Sequence, residues 1–329
     1  TRKRGPRRVQ RYVCQHCRRN FSTQTFSTTY WLRRVDLLRP VFHRISEGSG
    51  LRQIAREFAV SHSTIQRAVE RLGRHCLLVA EEMKPSGAPS EPLVLDGFRS
   101  FEHSQYWPFD LTLLVGVSHF VYGFHDAELR RSGTMRPSQR QKRHDLEAEH
   151  GRPDPRATRK AVRELVSRVV PRGSTATITT DEHRDYPVAL GSLPERRIEH
   201  LTLSSKESRT PRNPLFPVNL ADLLLRHGGA NHKRETIAFS KRRQGALYRA
   251  AVFQVWRNAV KSSAENKRDD PPAVKLGLLR RRLTSKELLR DRRFPWKAEL
   301  GAWSRRCYFA RIPTRRLPAC RAHRATYAV

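Results

Sequence analysis

Three short segments near the start of the chain repeat the spacing of apolar residues that is typical of an amphipathic helix. Each segment has apolar side chains at positions i, i+3, i+4 and i+7, which lie on one face of a helix. The segments comprise Leu38, Val41, Phe42 and Ile45, then Leu51, Ile54, Ala55 and Phe58, then Ile65, Ala68, Val69 and Leu72. The pattern predicts three short helices, separated by residues 47–50 and 59–61.

The turn before the third predicted helix is short and ends in capping residues. Ser61 or Ser63 can accept a free backbone N–H, and Gln66 follows Ser63 at the spacing of a capping box. Three helices with such a turn resemble a helix-turn-helix, whose last helix contacts DNA in the major groove. The outward residues, which are the expected DNA contacts, are His62, Ser63, Thr64, Gln66, Arg67 and Arg71. A helical bundle with an ordinary polar face is the alternative.

A Pro-, Ser- and Gly-rich segment at residues 84–90 interrupts the helical pattern and marks a domain boundary. Beyond it, three strand-like runs predict an antiparallel meander, at Leu93–Asp96, Leu111–Val117 and Val121–Phe124. The charged residues 130–156 are predicted to form a solvated basic loop. The alternative is that its basic side chains hold a DNA backbone, namely Arg130, Arg131, Arg136, Arg140, Lys142 and Arg143.

A helix and two further strands follow, which together predict an α/β sheet. Helical spacing covers residues 159–170, strand-like runs end at Asp181 and at residue 203, and a helical stretch continues through Asp222. Two of the predicted strands end in a carboxylate, Asp96 and Asp181. If these strands are neighbours in one sheet, the two acids converge and can hold divalent metal ions. Taken singly, each acid is an ordinary turn residue.

The charge of the chain indicates its partner. Lys and Arg number 65 against 31 Asp and Glu, a formal net charge of +34. Such an excess requires a polyanion, and DNA is the expected one because guanidinium groups pair with phosphate. An anionic membrane surface is less favoured, since no apolar run approaches the ~20 residues of a spanning helix. We expect a soluble, intracellular protein.

Two of the five cysteines are close together, in the motif Cys14-x-x-Cys17. A structural zinc site has four ligands, and no second pair follows at a suitable distance. The sequence begins at Thr1 within a basic run, so we expect a fragment whose second pair of ligands lies upstream. Zn²⁺ is then a cofactor if that half exists, and an incidental motif in a basic arm is the alternative.

Phosphodiester chemistry with two metal ions needs a third ligand besides Asp96 and Asp181. Two acids after the fifth predicted strand qualify. Asp222 lies in the helical stretch, and Glu235 lies in Asn231-His-Lys-Arg-Glu-Thr236. Spacing alone does not separate them.

These motifs together resemble those of the DDE-type insertion-sequence transposases. The residues that carry the resemblance are Leu95-Asp96-Gly97, Thr180-Asp181-Glu182 followed by Tyr186, and Asn219-x-x-Asp222-x-x-x-Arg226. In that family the last acid is commonly the Glu of an Asn-x-x-Glu-x-x-x-Arg helix, and Asp222 occupies its position here. The resemblance favours Asp222 as the third acid, keeps Glu235 as the alternative, and places Arg226 near the DNA.

The resemblance also implies an organisation and an activity. The domains would be a partial zinc ribbon at 1–30, a helix-turn-helix at 31–83, a linker at 84–91, an RNase H-like catalytic domain at 92–262 and a basic helical tail at 263–329. A homo-oligomer would cleave and transfer DNA strands of its own element with Mg²⁺ or Mn²⁺ held by Asp96, Asp181 and Asp222. The alternatives are a decayed or domesticated copy that only binds DNA, and an RNase H-like nuclease that does not join ends.

Overall fold

The computed structural model describes residues 9–204, 206–233, 236–264 and 269–317. Glu235, the alternative third acid, and Cys320 lie outside the described residues. The described chain begins with a hairpin of β1 (Arg11–Val13) and β2 (Asn20–Ser22). The three predicted helices follow as α1 (Leu38–Ser46), α2 (Leu51–Glu57) and α3 (His62–Glu82).

Five strands form a mixed sheet in the middle of the chain. They are β3 (Leu93–Phe101), β4 (Pro108–Gly116), β5 (Val121–Glu128), β6 (Thr175–Thr180) and β7 (Arg197–Thr202). Their spatial order is β5-β4-β3-β6-β7. The first three are antiparallel, as predicted, whereas β6 is parallel to both β3 and β7. The predicted α/β class, a mixed sheet flanked by helices, is confirmed.

The other helices surround this sheet or follow it. They are α4 (Pro137–His150), α5 (Ala157–Val169), α6 (Asp185–Gly191), α7 (Phe216–Gly228), α8 (Arg243–Val255), α9 (Pro272–Lys275), α10 (Ser285–Arg290) and α11 (Ala302–Tyr308). A π-helical turn, Trp256–Val260, extends α8. Two of the helices cover the strands, because α5 packs on β4 and β5 and α7 packs on β3 and β4. None of the described helices is long and apolar enough to cross a membrane.

Helix α4 lies where the sequence predicts a loop, and that prediction is wrong. The helix buries none of its residues, so no apolar stripe marks it in the sequence. Glu147 holds it instead by ion pairs of 2.7 Å to Arg130, 3.6 Å to Arg143 and 3.1 Å to Arg152. A helix stabilised by charge pairs is not visible to an argument from hydrophobic periodicity.

Helix α3 is longer than its apolar pattern predicts. Ser61 caps it by accepting the Thr64 N–H, and from Leu72 to Val79 every residue is buried. This second half packs against α8 and α11. Periodicity ends there because the helix is covered on all sides. The closest approach is at Gly73, where a Cβ atom would lie 2.4 Å from Cβ of Tyr248.

The N-terminal helices share their hydrophobic core with the rest of the described chain. One continuous cluster of buried apolar side chains extends from Leu37 to Ile312. Residues 83–92 are all described, and none of them is in a helix or strand. The segment before α1 also contacts α10, because the Thr28 hydroxyl donates to the Leu289 carbonyl at 2.6 Å.

Candidate active site

The parallel strands β3 and β6 bring the two predicted strand acids together. The strands pair at Leu93 and Ile178, and the same register, continued by three residues, places Asp96 level with Asp181. Neighbouring strands lie roughly 4.8 Å apart. Since β6 ends at Thr180, the rest of β3 has no paired strand on that side among the described strands. The acids therefore lie at an open edge of the central strand.

The carboxyl group of Asp96 is half-buried and close to other negative charge. Burial, and next the charge of Asp181, raise the pKa of Asp96 to about 7. The Gly97 N–H donates to Oδ1 of Asp96 at 2.6 Å and opposes this shift. Asp181 is anchored differently, because its Oδ1 accepts the His183 N–H at 3.0 Å. Removing such carboxylates from water beside one another costs free energy unless a cation neutralises them.

Helix α7 carries Asp222 to the same charge cluster. Burial raises the pKa of Asp222 well above its usual range, and the charge of Asp96 adds to the effect. Arg226, one turn further along the helix, partly offsets it. The Oδ1 atom of Asp222 is buried and has no hydrogen-bond partner among the described residues. A buried carboxylate oxygen without a donor is an acceptor available to a cation.

A fourth acid, Asp110 on β4, was not predicted from the sequence. It pairs with Arg99 across β3 and β4, and burial raises its pKa to about 6. Its carboxylate occupies the space beside Gly97, where a Cβ would lie 2.3 Å from Oδ2. The glycine inside strand β3 is thus the sequence signal that was missed, since Gly in a strand marks a close approach.

The residues at this edge fit divalent cations in chemistry and charge, but their present spacing is not that of a metal site. Carboxylate oxygens are the preferred ligands of Mg²⁺. The charges of Asp96, Asp110, Asp181 and Asp222 all contribute to raising the pKa of Tyr186, after burial, so all four lie within electrostatic range of that residue. Among the described residues, however, no three Asp, Glu, His or Cys side chains are placed to hold a metal ion together.

The raised pKa values predict how pH acts on stability. The folded protein binds protons at Asp96 and Asp110 up to about pH 7 and about pH 6, whereas the unfolded chain releases them near pH 4. These two acids should therefore lower stability as the pH rises through this range. The buried, neutral His75 and His232, whose pKa values are lowered to about 4 and about 3, act in the opposite direction up to about pH 6.5. Mg²⁺ should restore stability at pH 8, by about 2.7 kcal/mol at a hundredfold excess over its Kd, and less at pH 6.

Urea unfolding at both pH values, with and without Mg²⁺, measures this effect. Asp96→Asn should lose most of the gain from Mg²⁺ at pH 8. An equal gain at both pH values, or the same gain in the variant, would show that the cation binds elsewhere.

Most of the predicted DNA contacts on α3 are accessible to solvent, whereas Arg71 binds another part of the chain. His62, Ser63, Gln66 and Arg67 are exposed, and Thr64 is half-buried. Arg71 does not point outward as predicted. Its Nη1 donates to the carbonyl oxygens of Thr28 at 3.1 Å and Tyr30 at 2.7 Å, and burial lowers its pKa to about 10. The cause is the N-terminal segment, which crosses α3 at this point and was not anticipated.

Arg226, predicted to contact DNA, lies within the site. Its guanidinium carbon is 4.1 Å from the centre of the Phe98 ring, and its Nη1 donates to the His232 carbonyl at 3.3 Å. The stacking holds the guanidinium group against Phe98 of β3.

Cys14 and Cys17 lie in the turn of the N-terminal hairpin. The Cys14 N–H donates to the Arg19 carbonyl at 2.9 Å, which closes the turn. Hydrogen bonds to the thiol, chiefly from the Cys17 N–H, lower the pKa of Cys14. A turn that favours thiolate is compatible with half of a zinc site. Cys14, Cys17, Cys76 and Cys307 are free thiols.

Comparison with known proteins does not identify a family. No family model matches the chain, and no curated protein matches it. One solved structure with partial similarity is described as a "CryoEM structure of simian T-cell lymphotropic virus intasome in complex with PP2A regulatory subunit B56 gamma". The match has 13% sequence identity, covers 70% of each chain and has a TM-score of 0.24, which is too low to indicate a shared fold.

Proposed function

We propose that this chain is a DDE-type transposase that cleaves and transfers DNA strands of its own insertion element. The observation that carries the proposal is the meeting of Asp96, Asp181 and Asp222 at the open edge of β3. The order of the sheet supports it, because three antiparallel strands followed by two parallel ones match the RNase H-like fold implied by the sequence resemblance.

The acids and the arginines have different tasks in the proposed reaction. Asp96, Asp181 and Asp222 would hold Mg²⁺ or Mn²⁺, which when bound supplies activation of the attacking oxygen and stabilisation of the leaving one. Arg209, in the loop after β7, lowers the pKa of Asp96 and Asp222, so its positive charge acts on both acids. Arg226 adds a second fixed positive charge. Together the two arginines would hold the scissile phosphate against the acids.

The test uses a plasmid that carries the genomic DNA from both sides of the reading frame. Nicks with free 3′ hydroxyl ends, and later joined products, are expected with Mg²⁺ or Mn²⁺ and not with EDTA. Cleavage without joining would favour an RNase H-like nuclease instead.

One observation favours a second candidate, a DNA-binding protein that has lost its activity. The described acids are not spaced to hold a metal ion as they stand. This alternative predicts DNA affinity that falls steeply with salt and no nicking at any pH or with any divalent metal.

Two further features belong to the proposal. If a second pair of ligands lies upstream, Cys14 and Cys17 would bind Zn²⁺ together with it. Synapsis of two element ends would require at least two copies of the chain on the DNA.

Arg67 and Arg71 provide a matched pair for the proposed DNA contact of α3. Arg67→Ala removes an exposed charge, so DNA affinity should fall and the slope of log K against log salt should decrease by about one. Arg71→Ala should instead lower stability, because it leaves the carbonyls of Thr28 and Tyr30 without their donor.

Anisotropy titrations at several salt concentrations and urea unfolding separate the two effects. Unchanged DNA binding by the Arg67 variant would remove α3 from the DNA interface.

A further inference from the structure

A basic cavity of about 450 Å³ lies beside the acid cluster. Its positive residues are Arg99, Arg130, Arg131, Arg226 and Lys233, and none of the described residues that line it is acidic. Two of these cations connect the cavity to the acids. Arg99 pairs with Asp110 across β3 and β4, and Arg226 lies one turn from Asp222. The cavity therefore adjoins the proposed cleavage site and shares Arg226 with it.

A buried histidine in the wall of the cavity has an unused polar atom. His232 is 2% exposed, and its Nε2 has no hydrogen-bond partner among the described residues. Its Nδ1 lies 3.4 Å from the Ser100 hydroxyl. Burial lowers the pKa of His232 to about 3, so the ring is neutral at pH 7. A neutral imidazole with one free nitrogen is suited to hydrogen bonding with a polar ligand and not to binding a charge by itself.

The remaining wall suits a nucleobase. Phe101 supplies an aromatic ring, and the exposed Gln105 supplies an amide with both donor and acceptor atoms. The volume falls within the range of about 300–1,000 Å³ that is usual for pockets that hold one small ligand. A space of this size admits a single nucleotide, and its cations select a ligand that carries phosphate.

We propose that this cavity binds one unpaired nucleotide of the DNA strand next to the bond that is cut. The inference rests on the proposed function in taking DNA as the ligand, but it does not require that the acids be active. Arg99, Arg226 and Lys233 contact the phosphate, while Phe101, Gln105 and His232 contact the base. Removing a base from the duplex costs a few kcal/mol, and less when the base is already unpaired. The cavity therefore selects DNA with an unpaired or easily opened position.

The test compares two short fluorescein-labelled duplexes that differ only in one extra, unpaired nucleotide. Affinities are measured by anisotropy in EDTA, so that no cleavage occurs. The unchanged protein should bind the bulged duplex about tenfold more tightly than the paired one. The ratio of the two affinities is the readout, because it cancels the general attraction of a basic protein for DNA.

Two variants at exposed positions remove the cavity in different ways. Arg99→Ala with Lys233→Ala removes two of its charges, and Ser132→Trp fills its space without changing the charge. Both should lower the ratio to about one. Arg282→Ala with Lys286→Ala removes two exposed charges elsewhere and should leave the ratio unchanged.

Two outcomes would overturn the inference. One is a ratio near one in the unchanged protein, and the other is an unaltered ratio in the two cavity variants. Asp181→Asn distinguishes the proposed cleavage activity from the proposed nucleotide binding, because the variant should retain the affinity ratio while losing cleavage. If neither the variant nor the unchanged protein cleaves DNA but both retain the ratio, the proposed function fails and the cavity stands.

Discussion

An Asp181→Asn chain is expected to bind DNA as the unchanged protein does and to cut it on the order of 10³-fold more slowly, the loss typical of removing one electrostatic group from a transition state. The amide keeps the size of the side chain and can still accept the His183 N–H, so the loop after β6 keeps its shape. What is lost is the negative charge that Asp181 contributes beside Asp96. The rate of plasmid nicking in Mg²⁺, measured beside DNA affinity, gives the result.

The neighbouring acid supplies the control. Glu182 is exposed, and its Oε2 accepts the Ser204 hydroxyl at 3.2 Å. Glu182→Gln makes the same change of charge one residue further along the chain, and it should nick DNA within a factor of about two of the unchanged rate. Equal losses in both variants would mean that net charge, and not a metal ligand, determines the rate. Normal cutting by the Asp181 variant would remove the proposed site.

A second large effect is expected at Gly73, where α3 meets α8. Gly73→Val should lower the free energy of unfolding by about 3 kcal/mol, at the upper end of the usual cost of overpacking. A Cβ there would lie 2.4 Å from Cβ and 2.6 Å from Cγ of Tyr248. These atoms are next to the backbone and do not move away by a change of rotamer, so the two helices must separate.

Gly191→Val is the matched control for this prediction. Gly191 is exposed at the end of α6, and a Cβ there meets no atom within 4 Å. Its substitution should change stability by about 0.5 kcal/mol or less. Urea unfolding of both variants measures the difference. If the two are equally stable, the helices are not packed as tightly as the structure has them.

The sheet and two of its acids could be predicted because local sequence determines them. Residues 93–96 and 176–181 are apolar or β-branched runs that end in an acid, and such runs favour buried strands. Whether these two strands are neighbours depends on the tertiary structure. From the sequence alone, Asp96 and Asp181 could be predicted to converge only on the condition that the strands pair. The observed register meets that condition.

The features that were missed depend on contacts between distant parts of the chain. Asp110 lies within the apolar strand β4, and only the space beside Gly97 explains its presence there. Arg71 fits the exposed face of a helix by periodicity, yet the segment at Thr28 and Tyr30 covers it. In both cases the neighbour that determines the role of the residue is distant in sequence, so periodicity carries no information about it.

Helix α3 is exposed at its N-terminal end and buried along its second half. Its 21 residues span about 31 Å, from the exposed residues after Ser61 to a second half embedded among α8 and α11. That length equals about nine base pairs of DNA. If the exposed end reads the element and the acids cut it, the number of base pairs between the two sites is fixed, because the second half of α3 shares one hydrophobic cluster with the strand that carries Asp96. Inserting about five base pairs, half a turn of the duplex, would then turn the bond to the wrong side of the DNA.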